Sequence, residues 1–276
     1  MEILLAKSAG FCFGVKRATQ MAFDAADHYP SLNSLGPLIH SPQMVKKLEE
    51  RGVRVCKLVG EADGEAIVVR SHGVTAEELT ALQESGKEIV DATCPFVTRA
   101  QEYAAELSSE GYLVVLVGEA HHPEVQGIVS YASGEVVVIA NPEEAEELPK
   151  SKQIGVIAQT TQSIENFRAI VSVCLEKTRK LKIYNTICDA TSVRQEEAVK
   201  IASVVDLMLV VGGYNSANTT RLAELCREEG ARTYHVETAD EIDRTWFAGA
   251  RKVGVTAGAS TPQFLIDEIV ARIGEF

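Results

Sequence analysis

Three cysteines, three histidines and a few hydroxyl residues recur at matched intervals along a chain of 276 residues. The same 28-residue step separates Cys12 from His40, Cys94 from His122 and Cys188 from Ser216. A third landmark follows each pair, where a short apolar run meets a polar turn. These are AIVVRSHGV with His72, GVIAQTTQ with Thr160 and GVTAGAST with Ser260. The pattern reads as three copies of one α/β unit, each bringing a cysteine and two polar turns to a shared centre. Three thiolates at one point suit an iron–sulfur or zinc centre. Three protein ligands rather than four leave one position open to a reacting group. Cys56, at a strand end, and Cys174 and Cys226, inside helical runs, read instead as small buried hydrophobes.

His40, His122 and the Ser216/Asn218 pair form a second ring, and His72, Thr160 and Ser260 a third. His28, His121 and His235 read as structural, although His121 stands beside His122 and leaves the register between those two open. Imidazole, hydroxyl and amide groups backed by helix N-termini are suitable chemistry for a phosphate or diphosphate. Glu124, in HHPE, is the one acid within the ring motifs. A first-turn glutamate favours the helix dipole. Two residues from His122 in a closed polar pocket, it is also a natural proton carrier. Asp91 and Asp189, beside cysteines, read as turn or cap residues. No P-loop or G-x-G-x-x-G follows a strand, which gives nucleotide binding little support.

The elements that must position these residues are legible in outline. ILLA (3–6) reads as a strand, followed by a turn with Gly10 and Gly14 around Cys12. Val15, Ala18, Ala22 and Ala25 then give one apolar helical face, as do Val97, Ala100, Ala104 and Leu107 in the second copy. Ser41 is the expected N-cap of a helix with Pro42 at its first position and Gly52 as its stop. YLVVLVG is continuously apolar, as befits a central parallel strand. The acidic NPEEAEELPK reads as a solvated surface connection. DLMLVV, RTYHV and RKVGVT read as further strands, and Asn215 to Thr220 as a turn before the helix RLAELCREEG. Alternating short strands and helices imply small parallel sheets, which bind ligands at the carboxyl ends of their strands. The expected units are residues 1–92, 93–186 and 187–276, related by a pseudo-threefold axis.

Composition sets outer limits. An apolar fraction of 46% can fill a sizeable core, while a net charge of −12 argues against non-specific nucleic-acid binding. No apolar run approaches the roughly 20 residues of a membrane-spanning helix. The N-terminal MEILLAKSAG is short and acidic for a targeting peptide, so a cytoplasmic protein, working as a monomer, is expected. Widely spaced cysteines in that setting point to metal or catalysis rather than disulfides.

The motifs AGFCFGVKRA, GPLIHSPQ, RSHGV, DATCPFV, HPEV, QTT, CDATSVRQ, GGYNSANTTRL and GAST occur in order from Gly10 to Thr261. In these the chain resembles the LytB/IspH family of 4-hydroxy-3-methylbut-2-enyl diphosphate reductases. The resemblance implies a trefoil of three α/β domains around one 4Fe–4S cluster. Cys12, Cys94 and Cys188 would hold that cluster, its fourth iron open to substrate. It implies reductive loss of the hydroxyl of an allylic diphosphate, giving isopentenyl and dimethylallyl diphosphate, the last step of the methylerythritol phosphate route. A flavodoxin or ferredoxin would donate the electrons. By motif, His40, His72, His122, Thr160, Ser216, Asn218 and Ser260 would hold substrate, and Glu124 would supply a proton. The family's N-S-S-N turn is here Asn215-Ser216-Ala217-Asn218, so a contact at Ala217 would be through its backbone. Two rivals use the same residues differently. A hydrolase of a phosphorylated substrate, with zinc on the three cysteines, needs no electrons, and an iron–sulfur sensor needs no histidine and serine rings.

Overall fold

A computed structural model describes residues 1–276. The first strand, β1 (Glu2–Leu5), leads to α1 (Phe13–His28). Next come β2 (Leu32–Leu35), α2 (Pro42–Glu49), β3 (Val53–Cys56), β4 (Ala66–Val69), α3 (Ala76–Glu84) and β5 (Glu88–Asp91). The chain continues with α4 (Pro95–Ser109), β6 (Leu113–Val117), α5 (Pro123–Ser130) and β7 (Val136–Ile139). Then follow α6 (Pro142–Glu146), β8 (Ile154–Ala158), α7 (Ile164–Lys177) and β9 (Leu181–Ile183). The last stretch is α8 (Asp189–Ala202), β10 (Leu207–Val211), α9 (Ala217–Glu228), β11 (Arg232–Val236), β12 (Lys252–Ala257) and α10 (Gln263–Gly274).

The strands form three four-stranded sheets, ordered β3-β2-β4-β5, β7-β6-β8-β9 and β1-β12-β10-β11, with every pairing parallel. The α/β class with three small parallel sheets is therefore as the sequence suggested. Parallel pairing needs crossover connections, and helices supply most of them. The central strands β6, β8 and β10 are buried along their whole length, which explains their unbroken apolar runs. Each sheet has its own apolar core, such as Val115, Val117, Val156 and Phe167 against one face of the β6 sheet.

In one respect the expected unit boundaries fail. The strand assigned to residues 1–92 does not join the first sheet; β1 pairs with β12, with Glu2 opposite Lys252. Read from each cysteine, the copies run helix, strand, helix, strand, strand, helix, strand, with α6 added between the second and third strands of the second copy. In the third copy the fourth strand position is filled by β1. By packing, Met1–Lys16, Ile39–Lys47 and Asp189–Phe276 form one compact unit, and Arg17–Leu38 with Leu48–Cys188 form the other.

The helix signals hold locally. Val97, Ala100, Ala104 and Leu107 are all buried, and so are Val15, Ala18, Ala22 and Ala25. Helix α4 ends in a Schellman turn: Tyr112 N–H donates to Leu107 O and Gly111 N–H to Ser108 O, with Gly111 at φ +79°. Helix α9 ends the same way at Gly230. The acidic stretch after β7 is not a plain solvated connection. Asn141 caps α6 by accepting from Glu144 N–H, and Ala145 and Leu148 are buried in the sheet's core. Helix α9 starts at Ala217, so Asn218 lies in its first turn rather than in a turn before it.

Candidate active site

The three cysteine turns share one backbone device. The N–H of Cys12 donates to Ala259 O, that of Cys94 to Ser71 O, and that of Cys188 to Thr160 O, each at 3.0 Å. Each accepting carbonyl lies two residues past the end of β12, β4 or β8. The hydrogen bond ties every cysteine to the carboxyl end of the third strand of the preceding copy, the third copy standing before the first. Each cysteine also immediately precedes a helix. Val15 N–H points at Cys12 Sγ, 3.5 Å away. All six cysteines are free, but they divide in two. Cys12, Cys94 and Cys188 are partly exposed; Cys56, Cys174 and Cys226 are buried. Burial pushes the thiol of Cys174 up to about 11 and that of Cys226 to about 12, and it also raises Cys56. Those three are poor ligands at neutral pH, and the first three have the access and the helix-end setting a metal or cluster requires. The donor set fits three-thiolate ligation of a soft metal centre.

The second ring sits where the first strand of each copy meets its next helix. Here Gly36, Gly118 and Gly212 donate to Cys56 O, Ile139 O and Val236 O at 2.8–2.9 Å. His40, His122 and Ser216 each lie five residues beyond the end of β2, β6 or β10. His122 and Ser216 are the N-caps of α5 and α9. The Nδ1 of His122 accepts from Glu124 N–H at 3.2 Å, which leaves the ring hydrogen of the neutral form on Nε2 as an outward donor. Ser216 Oγ accepts from Thr219 N–H and from Thr219 Oγ1, so its own hydrogen is available to an anion. Thr219, fully buried, thus sets the hydroxyl's direction, a role the sequence reading missed; its spacing of three from an N-cap serine was the signal. Ser41, the expected cap of α2, does accept from Met44 N–H, at 3.4 Å.

Glu124 is 2% exposed, and its carboxylate grips one residue. Thr160 N–H donates to Oε1 at 2.6 Å and Thr160 Oγ1 donates to Oε2 at 2.9 Å. Burial drives the carboxyl up from 4.5 to about 7, against the lowering effect of the two Thr160 bonds. A carboxyl that is half-protonated near neutrality is suited to general acid work.

The third ring needs a correction of register. Thr160 lies two residues past the end of β8, matching Ser71 and Ala259 by the cysteine hydrogen bonds above. His72 and Ser260 lie one residue further along, so the counterpart of both is Thr161. Glu124 and Thr160 therefore belong together by contact, not by ring membership. His72 meets His122 edge to face, with ring centroids 5.6 Å apart. Ser260 Oγ donates to His40 O at 3.2 Å, so binding an anion there requires the hydroxyl to turn. Asn218, 3% exposed, has neither its amide nitrogen nor its amide oxygen hydrogen-bonded. A buried amide left so is a site awaiting a polar ligand. Ala217 is the first residue of α9 and offers only its backbone.

Free thiols at helix starts, helix-capping imidazole and hydroxyl donors and a buried acid near neutrality, all at strand ends of small parallel sheets, define an α/β enzyme for an anionic substrate. The family model of the LytB protein matches residues 3–274, and the chain belongs to this family, whose relatives here are reductases. A 4-hydroxy-3-methylbut-2-enyl diphosphate reductase of Syntrophotalea carbinolica is 59% identical over 276 residues, covering 100% of this chain and 99% of the relative. One from Geobacter metallireducens is 61% identical over 275 residues, covering 100% and 98%. Among solved structures, an (E)-4-hydroxy-3-methyl-but-2-enyl diphosphate reductase, described as the terminal enzyme of the non-mevalonate pathway, shares 42% identity. It has a TM-score of 0.73 and 100% of both chains is covered. The Plasmodium falciparum E-1-hydroxy-2-methyl-but-2-enyl-4-diphosphate reductase shares 26% identity at a TM-score of 0.92, covering 98% of this chain and 87% of that one.

Proposed function

We propose that the chain reduces (E)-4-hydroxy-3-methylbut-2-enyl diphosphate, replacing its allylic hydroxyl by hydrogen. Two electrons and two protons convert the alcohol to isopentenyl or dimethylallyl diphosphate and one water. The buried Glu124–Thr160 pair carries this reading, because it holds a proton where a leaving hydroxyl needs one. Cys12, Cys94 and Cys188 would hold a 4Fe–4S cluster with one iron open. When bound, such a cluster supplies electrons singly and a Lewis-acidic iron.

The chain's own residues do the rest. Glu124, when protonated on Oε2, donates to Thr160 Oγ1 in a reversal of the bond seen with the carboxylate, and the Thr160 hydroxyl hydrogen passes to the departing oxygen, which leaves as water. Ser216 and Asn218 offer donors at the start of α9 for the diphosphate, aided by that helix's N-terminal N–H groups. His40, His72, His122 and Ser260 complete the polar lining and exclude bulk water from the developing charge. The second proton is taken at either end of the allyl system, which accounts for two products. A small flavodoxin or ferredoxin is the proposed electron source. A cytoplasmic setting is supported by six free cysteines and by the lack of any helix long and apolar enough to cross a membrane.

The test replaces each cysteine by serine in anaerobically purified protein. Cys12→Ser, Cys94→Ser and Cys188→Ser should each remove the visible absorption and EPR signals and abolish turnover. Changes at Cys56, Cys174 and Cys226 should leave both nearly intact. A colourless, EPR-silent wild type carrying zinc would end the redox reading and favour a hydrolase.

A further inference from the structure

The segments that deliver the three cysteines differ in length. Two residues, Ala92 and Thr93, join β5 to Cys94, and four, Tyr184 to Ile187, join β9 to Cys188. Six, Ala6 to Phe11, join β1 to Cys12. Fixing each residue's backbone costs conformational entropy, so the longest segment most needs outside support. The short ones have supports of their own: Asp91 accepts from Thr93 N–H, Arg17 donates to Thr93 O, Tyr184 donates from its N–H to Val156 O and from its hydroxyl to Glu106 Oε1, and Thr186 Oγ1 pairs with the backbone of Ala158.

The Cys12 segment is gripped by two side chains one turn apart on α8. Glu197 accepts from Lys7 N–H at 2.9 Å, Ser8 N–H at 2.8 Å and Ser8 Oγ at 2.5 Å. Arg194, 3% exposed, donates from Nε to Ser8 O at 3.0 Å and from Nη2 to Gly10 O at 2.9 Å. Its third nitrogen, Nη1, donates to Ala190 O one turn back on α8, fixing the guanidinium plane. Burial pushes the Glu197 carboxyl up, but its Ser8 and Lys7 donors outweigh this and hold it below the ordinary range. The gripped part of the segment ends at Gly10, whose φ of +96° suits glycine and whose added Cβ would lie 3.2 Å from Ile266 Cδ1. Five of these hydrogen bonds tie residues 7–10 to one helix face, two residues before the thiol.

We propose that Arg194 and Glu197 are positioning residues for Cys12, and that their grip on residues 7–10 decides how firmly this thiolate is retained as a ligand. The proposal rests on the reading of Cys12 as a cluster ligand, and extends it to residues that touch neither metal nor substrate. Lysine at 194 keeps the charge but not the fork that spans two carbonyls, so it restores only part of the grip. Supporting residues behind metal ligands typically change metal affinity by 10–100-fold.

The experiment compares wild type with Arg194→Met, Arg194→Lys, Glu197→Gln and the milder Ser8→Ala. Each is checked for fold by circular dichroism. In metal-free protein, the rate at which iodoacetamide alkylates each cysteine is read by peptide mass spectrometry. Cys12 should react about tenfold faster in Arg194→Met and Glu197→Gln, with Cys94 and Cys188 unchanged as internal references. In anaerobically reconstituted protein, loss of iron to a chelator should accelerate in the same order, with Arg194→Lys and Ser8→Ala intermediate. Folded variants with wild-type Cys12 alkylation and iron retention would overturn the proposal, as would equal acceleration at all three cysteines. A wild type that takes up no iron would refute the cluster reading instead, while the alkylation comparison would still report on the grip.

Discussion

Glu124 and Asn218 occupy the same place in two copies of one design. Each lies seven residues past the end of its strand, β6 or β10, in the first turn of a helix capped by the side chain two residues before it. Each is almost fully buried. Among the differences in their surroundings, one bears directly on their hydrogen bonding. Behind Glu124 stands Thr160, whose N–H and hydroxyl both donate to the carboxylate. The counterpart of Thr160 in the third copy is Ala259, which has no hydroxyl, and the Asn218 amide has no hydrogen-bond partner. The first copy has Pro42 and Ser71 at these positions, which leaves no side-chain acid to hold. One scaffold position thus holds a hydrogen-bonded acid in one copy and an unpartnered amide in another, a proton store and an anion site in the proposed function. Repetition fixes where a side chain stands, and its neighbours from distant turns set which hydrogen bonds it makes there.

The sharpest way to break the comparison is Glu124→Gln. Glutamine keeps the shape and an acceptor for Thr160 but holds no acidic proton. Cluster content and substrate-induced spectral change should be unaltered, while turnover with an artificial reductant falls by roughly 10²–10⁴-fold. A variant with most of its turnover would return Glu124 to a purely structural role.

Next in size is a pH effect on stability. The Glu124 carboxyl sits at about 7 in the folded chain against an ordinary 4.5, so the folded state binds more protons between those values. Its contribution to stability is fully present below about pH 4.5 and is lost as pH rises through 7, by up to about 3 kcal/mol. Denaturant midpoints of wild type should therefore fall more steeply over this range than those of Glu124→Gln. Parallel curves would show that the carboxyl is not perturbed by burial.

A smaller change is expected at the other turn. Asn218→Ala, like Ser216→Ala, should weaken inhibition by inorganic diphosphate by about tenfold or more, since a hydrogen bond to a charged group is worth roughly 1.5–3 kcal/mol. The smallest effect carries the opposite sign. Removing an unpartnered buried amide should raise the stability of ligand-free Asn218→Ala by about 1 kcal/mol, a gain that saturating diphosphate cancels. Loss of stability without ligand would mean that Asn218 is part of the packing.

Much of this was legible in the sequence because local rules and global repeat agree. Strands β6, β8 and β10 announced themselves as unbroken apolar runs, and the 28-residue step placed His40, His122 and Ser216 at equivalent helix starts. What escaped was set by distant partners. QTT offers two adjacent threonines, and only the bonds to Cys188 and Glu124 show which one faces the acid. The Ser260 hydroxyl donates to a carbonyl 220 residues away, and Arg194 grips a loop 184 residues before it. Nor does local pattern reveal that ILLA belongs beside the last strand rather than the first.

That placement of β1 orders events during synthesis. The first strand to be made pairs with β12, whose residues appear about 250 positions later, a wait of roughly 10–50 s at 5–20 residues per second. Cys12 emerges early, yet α8, which holds its loop, and Ala259, which receives its N–H, come in the last third of the chain. Arg17–Leu38 and Leu48–Cys188 can be complete while residues 1–16 still lack their neighbours. The surroundings of Cys12 are therefore a late, whole-chain product: of the three cysteine turns, the one translated first waits longest for its neighbours.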